Sequence, residues 1–267
     1  MESFAGRVAV VTGGGSGIGY GMCLAFARAG MRVAVADIEE EAAARTAARL
    51  ADSGARAIAV RTDVSERKAV EALADRCERE LGGVDLVCNN AGVFTGGDML
   101  QSSESDWAWC LGVNVMGVVH GSQVFAPRLV AQGSGQIVNT ASVGGFLAQP
   151  SMSIYCTTKF AVVGFSEALR AHLAPAGVGV STLCPGPIRT QLASSERLRP
   201  GGPDGGASRS EILAPMIADG MPPEQVGEIV LRGVRENAEY IFTHTLFREL
   251  FEQKFARVAQ AFDAVGD

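Results

Sequence analysis

Lysine, tyrosine and histidine are scarce in this chain, with three of each among 267 residues. Basic residues are also outnumbered, 23 against 29 acids, giving a formal charge of −6. That balance leaves no basic patch and argues against nucleic-acid binding or attraction to anionic membranes. No apolar run approaches the ~20 residues that a membrane-spanning helix needs. The N-terminus lacks a charged region followed by an apolar run, so no signal peptide is expected. The six cysteines (Cys23, Cys77, Cys88, Cys110, Cys156 and Cys184) are scattered, without a Cys-x-x-Cys. They read as buried thiols in a reducing, cytoplasmic compartment rather than a disulfide framework. His120, His172 and His244 stand alone, with no ligand spacing among them, so no metal is expected.

What is present is a core. With 47% hydrophobic and 19% charged residues, the chain can bury a sizeable interior and is not disordered. One pairing stands out against the scarcity: Tyr155 and Lys159, at i and i+4 on one predicted helix face. With three tyrosines and three lysines in the chain, a chance Tyr-x-x-x-Lys is expected roughly 0.03 times. An ammonium one turn away favours the ionised form of a phenol, which is one way to make a general base from tyrosine. Bringing a phenol from about 10 to working pH takes about 4 kcal/mol.

Short β-branched runs alternate with helical stretches through the first half. Arg7 to Thr12, Arg32 to Ala36, Ala57 to Thr62 and Val84 to Cys88 read as strands. Helices are expected over Tyr20 to Ala29, Glu39 to Leu50 and Ser65 to Leu81. Such alternation predicts an α/β, doubly wound, Rossmann-type parallel sheet with helices on both faces, in one domain. After the first strand comes Gly13-x-x-x-Gly17-x-Gly19. It is neither Gly-x-Gly-x-x-Gly nor a Walker loop, and alone it would pass for a tight turn. A strand before it, a helix after it and an acid further on favour a dinucleotide cradle, with Ser16 and Ile18 in the same loop. Asp37 ends the second strand, where a carboxylate can accept both adenosine ribose hydroxyls; it would also serve as a helix N-cap. Ile38, Glu39, Glu40 and Glu41 follow it, with no cation for a 2′-phosphate. Electrostatics therefore favour NAD over NADP.

In this order the residues resemble the short-chain dehydrogenase/reductase family, in its compact single-domain branch. The matches are Thr12-Gly13-x-x-x-Gly17-Ile18-Gly19, Asp63-Val64, Asn89-Asn90-Ala91-Gly92, Asn114, Ser142, Tyr155, Lys159 and Pro185-Gly186-Pro187-Ile188-Arg189-Thr190. They span about residues 5 to 190. The resemblance implies a sheet of about seven strands and a catalytic set of Asn114, Ser142, Tyr155 and Lys159. Tyr155 would be the general acid/base and Lys159 would lower its pKa and bind the nicotinamide ribose. Ser142 would bind the reacting oxygen, and Asn114, kinking a helix over Trp107 to Val130, would hold a water linked to Lys159. Gly13, Ser16, Gly17, Ile18, Gly19, Asp37, Ile38, Asp63, Val64, Asn90, Ala91, Gly92, Pro185, Gly186, Ile188 and Thr190, with Tyr155 and Lys159, would hold the cofactor.

Residues read alone give blander alternatives. Asn114 would be a solvated helix residue and Ser142 a turn residue opening Gly144-Gly145. Ser151 and Ser153 suit N-cap roles. The stretch from Leu198 to Pro215, rich in Gly, Pro, Ser and Arg, falls where the family carries a substrate-covering loop, at about 190–221; a surface insertion is the other reading. A terminal helix over Leu246 to Phe262 carries an apolar stripe read as core or subunit contact. Phe94, Ser142, Gly144, Phe146, Gln149, Pro187, Leu192 and Met216 are the expected substrate residues, an apolar set that suits a sizeable apolar or aromatic secondary alcohol or ketone. A homotetramer or homodimer is the family expectation. Two other readings stand beside this one: an NADPH-dependent 3-oxoacyl ketoreductase, which Asp37 opposes, and a non-catalytic dinucleotide sensor, which the complete catalytic set opposes.

Overall fold

The computed structural model describes residues 3–202 and 209–265. Its seven strands are β1 (Val8–Thr12), β2 (Arg32–Asp37), β3 (Ala57–Arg61), β4 (Leu86–Asn89), β5 (Gly135–Thr140), β6 (Val178–Cys184) and β7 (Tyr240–Phe242). They form one sheet in the order β3-β2-β1-β4-β5-β6-β7, with every pair parallel. The helices between them are α1 (Gly17–Arg28), α2 (Glu40–Asp52), α3 (Arg67–Leu81), α4 (Glu104–Leu111), α5 (Gly117–Gln132), α6 (Ser153–Leu173), α7 (Ala214–Ile217), α8 (Pro223–Arg235) and α9 (Arg248–Gln260).

The two-residue period of a strand divides the core into two layers. Ala9, Val11, Val33 and Val35 join Met22 and Phe26 of α1, Leu50 of α2 and Val230 of α8. Val8, Val10, Ala34 and Ala36 face the other way, onto Leu73 of α3 and Phe125 and Leu129 of α5. Because β1 is buried at every position, its unbroken run of apolar residues was the right signal for a strand covered on both faces. The order of connection reverses between β1 and β4, and in open parallel sheets the crevice beyond the strand C-termini at such a point takes ligands. A cavity of about 680 Å³ lies there.

The helix expected over Trp107 to Val130 is interrupted. It begins earlier, at α4, because Ser103 and Asp106 form a reciprocal capping box that the sequence reading did not use. A π-helical turn, Gly112–Met116, then joins α4 to α5, placing Asn114 in the kind of irregularity that often marks a functional position. The N-cap roles expected for Ser151 and Ser153 are not realised: Met152 precedes α6, and Ser153 lies inside the helix with its hydroxyl donating to the Pro150 carbonyl at 3.1 Å. Of the segment at about 190–221 expected to cover the substrate, Pro203 to Ser208 lies outside the described residues.

Candidate active site

At the end of β1, Thr12 fastens the glycine loop to the end of β4. Its hydroxyl accepts from the backbone N–H groups of Asn90 (2.9 Å) and Ala91 (3.1 Å), and the Asn90 amide donates to the Thr12 carbonyl at 2.9 Å. That closeness demands glycine. A Cβ on Gly13, whose φ is +64°, would come within 2.9 Å of Ala91 Cα, and one on Gly19 would run into the Gly13 carbonyl. Asp37 closes the loop from β2: one carboxylate oxygen accepts from Gly15 N–H at 2.9 Å and the other from Glu39 N–H at 3.0 Å. The cap of α2 falls instead at Glu39. Backbone donors at the start of α1, a loop stripped of side chains and a carboxylate at its edge together fit a dinucleotide's pyrophosphate and ribose.

Four side chains meet beyond β5. Ser142 extends β5 by two residues, accepts from Gly144 N–H at 3.0 Å, donates to the Pro185 carbonyl at 3.5 Å, and acts on the Tyr155 phenol in the sense that favours its ionised form. Tyr155 packs edge-on against Phe94, with ring centroids 5.1 Å apart. Lys159, one turn on, is buried; its ammonium donates to the Thr140 carbonyl at 2.8 Å and sits 5.5 Å from the Tyr155 ring centroid. Asn114 is fully buried, which disposes of its reading as a solvated residue. Its side chain accepts from Val93 N–H (2.8 Å) and donates to the Val93 carbonyl (2.9 Å) and to the Thr158 hydroxyl (3.0 Å). It thereby ties the strand-end loop to the helix that carries Tyr155 and Lys159. With that set of partners both Asn114 amide hydrogens are engaged.

The family model for short chain dehydrogenases matches residues 7–200, a stretch that contains the loop, Asp37 and all four of these side chains. The chain belongs to the short-chain dehydrogenase family. It is an oxidoreductase of that family. A short-chain dehydrogenase/reductase from Burkholderia phymatum, solved in complex with NAD, is 41% identical and superposes with a TM-score of 0.94 over 98% of this chain and 97% of that one. The Cα-dehydrogenase of Sphingobium sp. strain SYK-6 is 34% identical over 265 residues, covering 97% of this chain and 87% of that protein. The probable oxidoreductase EphD of Mycobacterium tuberculosis is 38% identical over 237 residues, and the match spans 87% of this chain but only 40% of that longer protein.

In this short-chain dehydrogenase the cavity is lined by most of the residues expected from sequence. Gly13, Ser16, Gly17, Ile18, Asp37, Ile38, Asp63, Val64, Asn90, Ala91, Gly92, Pro185, Gly186, Ile188 and Thr190 face it, as do Ser142, Tyr155 and Lys159. So do Gly144, Phe146, Gln149, Pro187, Leu192 and Met216. Three do not line it. Gly19 lies one turn behind the loop and serves its packing. Asn114 sits behind Gly92. Phe94 is wholly buried, so its expected substrate contact is replaced by support of the Tyr155 ring.

Other residues reach the cavity from far along the chain. Arg197 pairs with Glu39 at 2.5 Å, beside Asp37. A cation thus reaches the neighbourhood of Asp37 from 158 positions beyond Glu39, already neutralised by Glu39. The terminal helix narrows a second expectation. None of α9 is buried, so of the two readings of its stripe, core or subunit contact, core is excluded; Phe247, Leu250, Gln253, Lys254 and Arg257 line the cavity. Their helical spacing was readable, but the face that meets the site was not.

The titration behaviour of the pair also differs from expectation. Burial pushes the Tyr155 phenol up to about 12, and Ser142 only partly opposes it. Burial likewise pulls the Lys159 ammonium down to about 8. The Lys159 ammonium is held at the Thr140 carbonyl and over the Tyr155 ring.

Proposed function

We propose that this enzyme transfers hydride between NAD and a secondary alcohol or ketone with a sizeable apolar or aromatic body. The observation that carries the proposal is the junction of Ser142, Tyr155 and Lys159 with the glycine-and-Asp37 cradle in one cavity. Gly13, Gly17, Ile18 and the start of α1 would hold the pyrophosphate, Asp37 the adenosine ribose, Lys159 the nicotinamide ribose, and Ile188 and Thr190 the nicotinamide end. When bound, NAD supplies the hydride acceptor and a positive charge beside Tyr155. Tyr155 takes the hydroxyl proton in oxidation and returns it in reduction. Ser142 donates a hydrogen bond to the reacting oxygen as its charge changes. Asn114 keeps the strand-end loop and α6 in register. The name of the related Cα-dehydrogenase supports oxidation at carbon, and the NAD in the Burkholderia relative supports the choice of dinucleotide. The catalytic set opposes a mere sensor.

Burial raises the Asp37 carboxyl above its ordinary value, while hydrogen bonds from Glu39 and Gly15 work to keep it ionised. An ionised Asp37 favours ribose hydroxyls and repels a 2′-phosphate, which separates this reading from an NADPH-dependent 3-oxoacyl reductase. Asp37→Ala is expected to shift the ratio of kcat/KM for NAD over NADP towards NADP by roughly 10-fold or more, the size of a charge-assisted hydrogen bond. Steady-state assays with both dinucleotides measure it, and an unchanged ratio would remove Asp37 from the ribose site. A panel of aryl, alkyl and polyol substrates tests the substrate class; preference for polyols would sink it. A homotetramer or homodimer built on α4, α5 and α6 accompanies the proposal, since Leu111, Met116, Val130 and Phe160 stand exposed there.

A further inference from the structure

The charges around the cavity are sorted by position. Its acids, Asp37, Glu39 and Asp63, all lie beyond β2 and β3, at the proposed adenosine end, and Arg197 there is paired with Glu39. The opposite half, walled by the loop after Ser142, by α7 and by α9, carries Lys254 and Arg257 and, among the described residues, no acid. Neither cation has an acidic partner among the described residues. The Lys254 ammonium donates to the Phe146 carbonyl and lies 4.4 Å from the centroid of the Phe160 ring. It is therefore held at the cavity wall by a neutral acceptor and an aromatic face, with donor capacity to spare. The rest of this half is lined mostly by apolar side chains, among them Phe146, Leu147, Leu213, Met216 and Leu250, with Gln149 and Gln253 the polar ones.

The helix sets a length scale. Phe247, at the start of α9, packs beside Gly186, where a Cβ would approach its ring to 2.9 Å. At 1.5 Å per residue, Lys254 and Arg257 lie roughly 10 and 15 Å further along the helix axis. One face of α9 thus runs from an aromatic ring beside Gly186 to two cations two to three turns further on.

We propose that Lys254 and Arg257 form a carboxylate subsite, so that the substrate is an elongated alcohol or ketone with an apolar or aromatic body and a carboxylate at its far end. This rests on the reading of the site as an alcohol/ketone oxidoreductase and sharpens it: the sequence-derived lining was apolar because it contained nothing from α9. An apolar tunnel closed by cations recognises an amphipathic anion, whereas a wholly neutral substrate would leave the two cations without a role at the cavity.

The test uses matched 1-aryl alkanols that differ only in a distal carboxylate or its methyl ester. For the intact enzyme with NAD, kcat/KM for the acid is expected to exceed that for the ester by roughly 10-fold or more, the worth of one charged hydrogen bond. Lys254→Met and Arg257→Gln should each reduce that ratio several-fold, mainly through KM for the acid, and Lys254→Arg should restore much of it. Added salt should raise KM for the acid alone. Calorimetric binding of acid and ester to the enzyme–NAD complex gives a second readout. Equal use of acid and ester by the wild type, or equal losses on both in the variants, would overturn the subsite and leave the hydride-transfer reading standing. Carboxylate binding that depends on Lys254 without any NADH formed would do the reverse. Arg257→Gln guards against an effect on folding, since Arg257 makes no hydrogen bond or ion pair among the described residues.

Discussion

Tyr155→Phe is expected to lower kcat/KM for alcohol oxidation by roughly 10²- to 10⁴-fold, the usual contribution of a positioned general base, while dinucleotide binding stays within about twofold. The substitution removes one oxygen. The edge contact with Phe94 and the position of the Lys159 ammonium over the ring survive, so the cradle should be unchanged. The pH dependence supplies a signature that a packing role would not. With burial holding the phenol at about 12, the ionised form is scarce at neutral pH, and the wild-type oxidation rate should rise with pH above 7. The phenylalanine variant should lose that rise. Stopped-flow measurement of NADH formation, alongside NADH titration by fluorescence, checks both points; full activity in the variant would refute the general-base assignment.

The second large effect concerns stability. Asp106 is wholly buried and accepts from Arg199 at 2.6 Å, from Arg209 at 2.9 Å and from Ser103 N–H at 2.8 Å. Glu196, also buried, accepts from the Thr95 hydroxyl and from Arg209 N–H, each at 2.6 Å. Ser195 hydrogen-bonds both backbone groups of Phe94, at 2.9 and 3.0 Å. The chain on both sides of the 203–208 stretch is thereby clasped to the N-terminus of α4 and to Phe94. Removing the carboxylate breaks a buried ion pair, so Asp106→Ala should destabilise the protein by about 3–5 kcal/mol. Urea denaturation measures this, and a loss below about 1 kcal/mol would mean the clasp carries little. Arg199 lies over the Trp109 ring at 5.8 Å. Because Trp107 and Trp109 are the only tryptophans, intrinsic fluorescence should report the release directly.

The same clasp has an acid limit. Burial disfavours the Asp106 charge, but hydrogen bonds from Ser103 and Arg199 outweigh it and hold the carboxyl below its usual value. A carboxyl whose folded pKa lies below the unfolded value of about 3.9 adds stability that is complete above that pH. That stability is lost as pH falls through the folded value. The tryptophan signal should therefore shift below about pH 4 in the wild type and show no such step in Asp106→Asn.

Much of the site was readable because its logic is local. Tyr155 and Lys159 share a helix face by spacing alone. Gly13 and Gly17 announce a loop that tolerates no side chains, and Asp37 marks the end of a strand by composition. Ser142 and Asn114 needed the ordered family motif, since a serine after a strand and an asparagine in a helix each have commoner explanations. Phe94 was misplaced because an aromatic residue near a strand end can face either the cavity or the core. Which it faces depends on α6, some 60 positions later.

By itself the sequence determined the alternation of strands and helices, the dinucleotide loop, and the presence of a tyrosine–lysine pair, all of which depend on neighbours a few residues apart. Only the tertiary structure decided the titration state of that pair. Burial, which no spacing reveals, raises the phenol and lowers the ammonium. Tertiary packing alone also decided that Arg197 meets Glu39, that Asp106 gathers Arg199 and Arg209, and that α9 turns Lys254 and Arg257 toward the cavity. The physical reason is the same in each case. A side chain's charge and partners are set by what packs against it, and for Glu39, Asp106 and the cation end of the cavity those partners come from the last third of the chain.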